Sequence, residues 1–167
     1  MNEGSFELSP ARIGAEVLAQ LGRGRADGTD RLQLTFPPLN AALPEWSPDG
    51  NEICFARVAS AGKPTRLQLI PATGGAPRDA VPGDEDSQLD GSWSPDGRRL
   101  RVTVTDPSGE RDSLWEVGAD GRNPHSLLPR FPYPACCGRF TANGDYFVFQ
   151  ASGVNTVDLW LLPEGSV

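Results

Sequence analysis

The residues Trp46, Ser47, Pro48, Asp49 and Gly50 return unchanged as Trp93, Ser94, Pro95, Asp96 and Gly97, 47 positions later. A weaker copy follows after another 47, with Phe140 in the tryptophan position and then Thr141, Ala142, Asn143 and Gly144. A second landmark keeps nearly the same rhythm: Ala26, Asp27, Gly28, then Thr73, Gly74, Gly75, then Ala119, Asp120, Gly121. Self-similarity at a period of about 40–50 residues belongs to chains built from one repeated supersecondary unit, and it outranks any local reading.

Each unit reads as strands. Seven residues beyond the aromatic come Ile53, Leu100 and Phe147, and two further on Phe55, Val102 and Phe149, which is the period-two alternation of a strand. The Ser-Pro-Asp-Gly between suits a type I turn, with Ser accepting at its first position, Pro presetting φ at the second and Gly at the fourth. A third apolar run (67–70, 114–117 or 159–162) leads to the second landmark as another hairpin, and a shorter fourth run ends at Leu34, Val81 or Leu127. Four antiparallel strands per repeat make a β-propeller blade. The 19 Gly and 16 Pro sit mostly between the apolar runs, as turn punctuation.

This pattern resembles the WD-like repeat of TolB-type β-propellers over about residues 20–163. The stretch ending at Gly50 and the Cys136, Cys137, Gly138 segment also resemble propeller regions of large bacterial regulators, where such repeats follow a winged-helix or kinase module. The expected fold is therefore all-β: a partial propeller of about three four-stranded blades, with a half-blade over 21–36 and blades over 39–83, 86–129 and 133–163. The third turn, with Ala142 and Asn143 in place of Pro-Asp, should be looser. The resemblance implies a periplasmic location if the chain is part of a TolB-like protein, and a cytoplasmic one otherwise.

Residues 1–20 fit the repeat badly. Ser9 as N-cap, Pro10, the stripe Ile13, Val17, Leu18, Leu21 and a following Gly22 predict a short helix over 10–20. Against it, residues 20–24 occupy the register of 113–117, a third strand. Three blades cannot close a ring, so apolar blade faces are expected at both ends. Strand exchange between two chains, with residues 31–35 completing the partner's last blade, would close a six-bladed homodimer.

The residues argue against most chemistries. A net charge of −7 repels a nucleic-acid backbone. The first ten residues hold Glu3 and Glu7 and no apolar core, unlike a secretory signal, and no run reaches the 18 or more apolar residues of a membrane helix. The single histidine, His125, falls in a fourth-strand register with no nucleophile elbow in the chain, so no catalytic set is read. Cys54 reads as a buried small hydrophobe, and Cys136 and Cys137 as free thiols, because adjacent residues sit closer than the usual disulfide span. The acidic run at 83–91 lacks the glycine and the bidentate glutamate of a calcium loop, and no zinc-ligand spacing occurs, so no metal or cofactor is expected. Trp46, Trp93, Trp115 and Trp160 recur at repeat positions and read as packing between blades.

What remains is a non-catalytic module for binding a protein or peptide. The alternative is an accessory propeller of a prolyl-oligopeptidase-type serine peptidase. The Ser-Pro-Asp-Gly turns fall on one face, and the longer, divergent connections on the other. Variable loops on a rigid scaffold are where binding concentrates. That loop face carries Asp84, Glu85, Asp86 and Asp90, which favour a basic partner, and Tyr133, set between Pro132 and Pro134, as an aromatic anchor.

Overall fold

The computed structural model describes residues 4–13, 16–58, 64–83, 87–153 and 155–165, with side chains from residue 19 onward. Among the described residues, fourteen strands form four antiparallel sheets. The first holds β1 (Gly4–Ile13), β2 (Glu16–Arg25) and β3 (Leu32–Gln33). The second holds β4 (Ala41–Trp46), β5 (Glu52–Arg57), β6 (Arg66–Pro71) and β7 (Arg78–Asp79). The third holds β8 (Ser87–Trp93), β9 (Arg99–Thr105), β10 (Asp112–Gly118) and β11 (His125–Ser126). The last holds β12 (Ala135–Phe140), β13 (Tyr146–Ser152) and β14 (Val157–Pro163).

The first strand β8 touches both β4 and β12 across sheets, whereas among the described residues the fourth strands touch only their own third strands. First strands therefore form the hub and fourth strands the rim of an arc of blades. The turn that opens each full hairpin is built as its residues require. Gly50, Gly97 and Gly144 have φ of 72°, 70° and 76°, and each donates its N–H to the carbonyl of Ser47, Ser94 or Thr141 at 2.8–2.9 Å. Asp49 Oδ1 accepts from the Ser47 hydroxyl at 2.6 Å and from the Asn51 N–H at 3.0 Å. Thr141 and Asn143 repeat this pattern with longer bonds, the Asp145 N–H to Asn143 contact being 3.3 Å against 3.0 Å for Arg98 to Asp96.

Side chains between adjacent sheets make three apolar clusters. Leu21 and Leu34 meet Ala41, Ile53, Phe55 and Ile70; Cys54, Leu67 and Leu69 meet Trp93, Leu100 and Val102; Leu114 and Leu127 meet Ala135, Phe147 and Phe149. Each fully buried side chain of this size stabilises by about 1.5–3 kcal/mol, so cohesion lies between blades, not within them. The thiol of Cys54 is buried, and burial pushes its pKa up.

Several expectations are corrected. No helix occurs among the described residues. Residues 10–13 and 16–20 belong to strands β1 and β2, in register Ser9↔Gln20 and Pro10↔Ala19, because Leu21 gains burial against Ile53 and Phe55 that an isolated helix would lack. The half-blade expected over 21–36 thereby becomes a three-stranded sheet starting at Gly4. Its short strand pairs within this chain, Leu32 with Arg23 and Gln33 with Gly22. Cys136 and Cys137 are joined as a disulfide. The pair sits at a β-bulge, where Cys137 takes φ 60°, a local distortion that flat-strand spacing does not anticipate.

Candidate binding surface

On the loop face, the connection between second and third strands in the third blade is locked by its own acids. Asp106 Oδ1 accepts from the Ser108 hydroxyl at 2.8 Å and from the Glu110 N–H at 3.1 Å, and the serine bond above all holds its pKa below the ordinary value. Asp112 Oδ1 accepts from the Thr105 hydroxyl at 2.7 Å. Arg111 then reaches across to the next loop, donating from Nη2 to the Phe131 carbonyl at 3.4 Å. That contact sets the 106–111 and 128–134 loops side by side.

Between them lies a cleft lined by Arg111, Ser113, Ser126, Leu128, Phe131 and Tyr133. Phe131 is its floor. Its ring stands edge-on to Tyr133 at 5.9 Å, to Phe149 at 5.6 Å and to Trp160 at 5.3 Å. Tyr133 is exposed on this cluster, an aromatic ring held from one side and open on the other. Trp160, expected between blades like the other tryptophans, is also partly open because no fifth sheet follows β14 among the described residues.

Asp84, Glu85 and Asp86 lie outside the described residues. Asp90 is not in a loop: it is a buried residue of hub strand β8, and its Oδ2 accepts from Arg139 Nη1 of β12 at 2.9 Å. Arg139 Nε also lies 3.6 Å from Glu45 Oε2 of β4. The other oxygen of Glu45 accepts from the Trp93 N–H at 3.0 Å and the Ser92 hydroxyl at 3.3 Å. Burial pushes the Glu45 carboxyl up, against the opposing pull of the Trp93 N–H and Arg139. Glu45, Asp90 and Arg139 thus tie three hub strands together. Sequence reading missed Glu45 and Arg139, although positions 45, 92 and 139 are one repeat position carrying Glu, Ser and Arg.

The Trp46 to Gly50 and Trp93 to Gly97 motifs stay on the opposite face. Their aspartates are held below the ordinary carboxyl range, chiefly by the Ser47 and Ser94 hydroxyls. His125 stands exposed on rim strand β11, its Nδ1 2.9 Å from the Asn123 carbonyl. Among the described residues no group of three or more His, Cys, Asp or Glu is placed to hold a metal ion, and no helix could cross a membrane.

Four radially arranged antiparallel sheets with first strands at the hub find close counterparts among solved structures. TolB from Acinetobacter baumannii superposes with a TM-score of 0.75 at 16% identity, over 98% of this chain and 39% of that one. The fold is a β-propeller, present here in part. A TolB-assigned protein of Agrobacterium tumefaciens gives 0.71 at 19% identity, over 96% and 59%. The β-propeller domain of the Trilobed protease from Pyrococcus furiosus gives 0.64 at 17% identity, over 98% and 52%. The chain therefore spans between 39% and 59% of these neighbours. No protein-family model and no curated relative matches the sequence.

Proposed function

We propose that this propeller module is non-catalytic and binds a protein or peptide on its loop face. The observation that carries this reading is the cleft between the third and fourth blades, where exposed Tyr133 stands on Phe131 beside Arg111. A rigid aromatic at the edge of a partly apolar cleft is the usual form of an interface anchor. Glu110 and Asp112 beside this cleft, and in the sequence the acids Asp84, Glu85 and Asp86 of the 83–91 run, favour a basic partner. Partners captured on the immobilised chain should be lost with Tyr133→Ala, weakening by about tenfold or more. The triple change of Asp84, Glu85 and Asp86 to Ala should weaken capture and remove its salt dependence. Binding that survives both but fails when the Ser-Pro-Asp-Gly turns are altered would place the working surface on the other face.

The likeness to the Trilobed protease domain keeps a second reading in view, an accessory propeller that gates a peptidase. The encoding gene discriminates: an α/β-hydrolase nucleophile elbow in the same reading frame supports the gate, and a winged helix or kinase supports the binding module.

A further inference from the structure

Neighbouring cysteines close the shortest loop a disulfide can make, and so short a loop removes little freedom from the unfolded chain. The bond between Cys136 and Cys137 is therefore a weak staple. Nor does the local bend need it. The first strands of the three blades shift register over the same stretch: between Ala42 and Glu45 in β4, between Gln88 and Gly91 in β8, and between Cys136 and Arg139 in β12. Leu43 stands two repeats before Cys137 and takes φ 51° where Cys137 takes 60°. The β4 strand thus makes the same bend with no sulfur in it.

In β12 the bend is held by contacts that leave the sulfurs out. The Cys137 N–H donates to Thr103 Oγ1 of β9 at 3.0 Å, Gly138 lies so close over Phe147 that a Cβ would enter the ring, and Arg139 donates to Asp90 Oδ2 at 2.9 Å. A bend fixed in this way keeps the two sulfurs adjacent whether or not they are bonded, and a thiol held beside its partner closes onto it ahead of any thiol arriving from solution. Access differs along the pair: Cys137 is exposed and Cys136 partly buried. Cys54, the third cysteine, is buried on β5 and takes no part in exchange while the chain is folded.

We propose that Cys136 and Cys137 form a reversible two-electron site whose substrate is an external dithiol. A thiolate of the dithiol attacks the exposed Sγ of Cys137, the bond to Cys136 breaks, and the Cys136 sulfur leaves as a thiolate that takes a proton from water. The second thiol of the reductant gives its proton to water and attacks its own sulfur in the mixed disulfide. The dithiol then departs as a cyclic disulfide, and Cys137 leaves as a thiolate and is protonated. Two electrons and two protons have passed to the chain, and the reverse sequence restores the bond. The Tyr133 cleft takes no part, so failure of either reading leaves the other standing.

The test alkylates the whole folded chain with iodoacetamide and counts the labels by mass spectrometry, before and after dithiothreitol at about 1 mM. Neither Cys136 nor Cys137 should be labelled before and both should be labelled after, with Cys54 labelled only on denaturation. The thermal midpoint of the reduced chain should fall by less than about 4 °C. Oxidised glutathione should return the reduced chain to the unlabelled form with no glutathione retained, whereas Cys136→Ser, left with the exposed Cys137 alone, should retain one glutathione as a mixed disulfide. The proposal fails if Cys136 and Cys137 are still labelled after oxidised glutathione, if the bond yields to dithiothreitol only in denaturant, or if the midpoint falls further, which would make the bond a structural staple. It also fails if Cys136→Ser retains no glutathione, because the Cys137 sulfur is then closed to attack, or if the parent chain retains one, because the two sulfurs then do not stay adjacent.

Discussion

At Gly97 the backbone alone sets the cost of substitution. A Cβ there would meet only Pro48, at 3.7 Å, so space is available while φ of 70° is not one a β-branched residue adopts. Gly97→Val should cost about 1 kcal/mol or more, lowering the thermal midpoint by roughly 2–4 °C in a domain of this size; an unchanged midpoint would refute the turn's role. Gly138 fails differently, since a Cβ would land inside the Phe147 ring, so Gly138→Ala should destabilise by overpacking, about 1–3 kcal/mol. In the same turn as Gly97, Asp96 supplies a pH dependence. Its folded pKa is depressed, so its contribution is complete above the ordinary value of 3.8 and is lost as pH falls below that value through the depressed one. Asp96→Asn keeps the acceptor, as Asn143 does in the third turn, and should flatten the midpoint's decline as pH falls below the ordinary value of 3.8 in a thermal titration.

At the scale of elements, the seam between the third and fourth blades is held by charge as well as by apolar contact. Arg101 of β9 is buried, with its guanidinium 4.7 Å and 4.9 Å from the Phe140 and Phe147 ring centres. It donates from Nε to Glu116 at 3.0 Å and from Nη2 to Glu164 at 2.8 Å, while Arg99 reaches the other oxygen of Glu164 at 2.6 Å. Removing one member strands the others: Arg101→Ala should cost about 3–5 kcal/mol by denaturant unfolding, and adding Glu116→Gln should restore part of the loss. The strands themselves were legible from alternation around Ile53, Leu100 and Phe147, and the blade order from the 47-residue repeat. Arg101 was not, because alternation assigns one face of β9 to solvent, whereas a blade flanked by two others is buried on both faces. The N-terminal hairpin was missed because Ile13, Val17, Leu18 and Leu21 satisfy a helical period locally, and the pairing that decides against it is not visible in that window. The exposure of Tyr133 accords with its flanking prolines. The link from Asp90 to Arg139 spans 49 residues and closes only when the hub strands meet.

Across the whole molecule, stability should follow position in the arc. Blades that touch neighbours on both sides share two apolar clusters, as the second and third do, while the fourth shares one and presents β14 to solvent. In a nearest-neighbour array of this kind opening begins at the end with the weaker interface. Native-state hydrogen exchange should therefore show β9 amides, such as those of Leu100 and Val102, opening only with global unfolding. The amides of β14 directed away from β13 should exchange about 100-fold faster or more, about 2.7 kcal/mol lower in opening free energy. Uniform protection from β9 to β14 would mean that the chain unfolds as one unit and that the bare edge carries no local weakness.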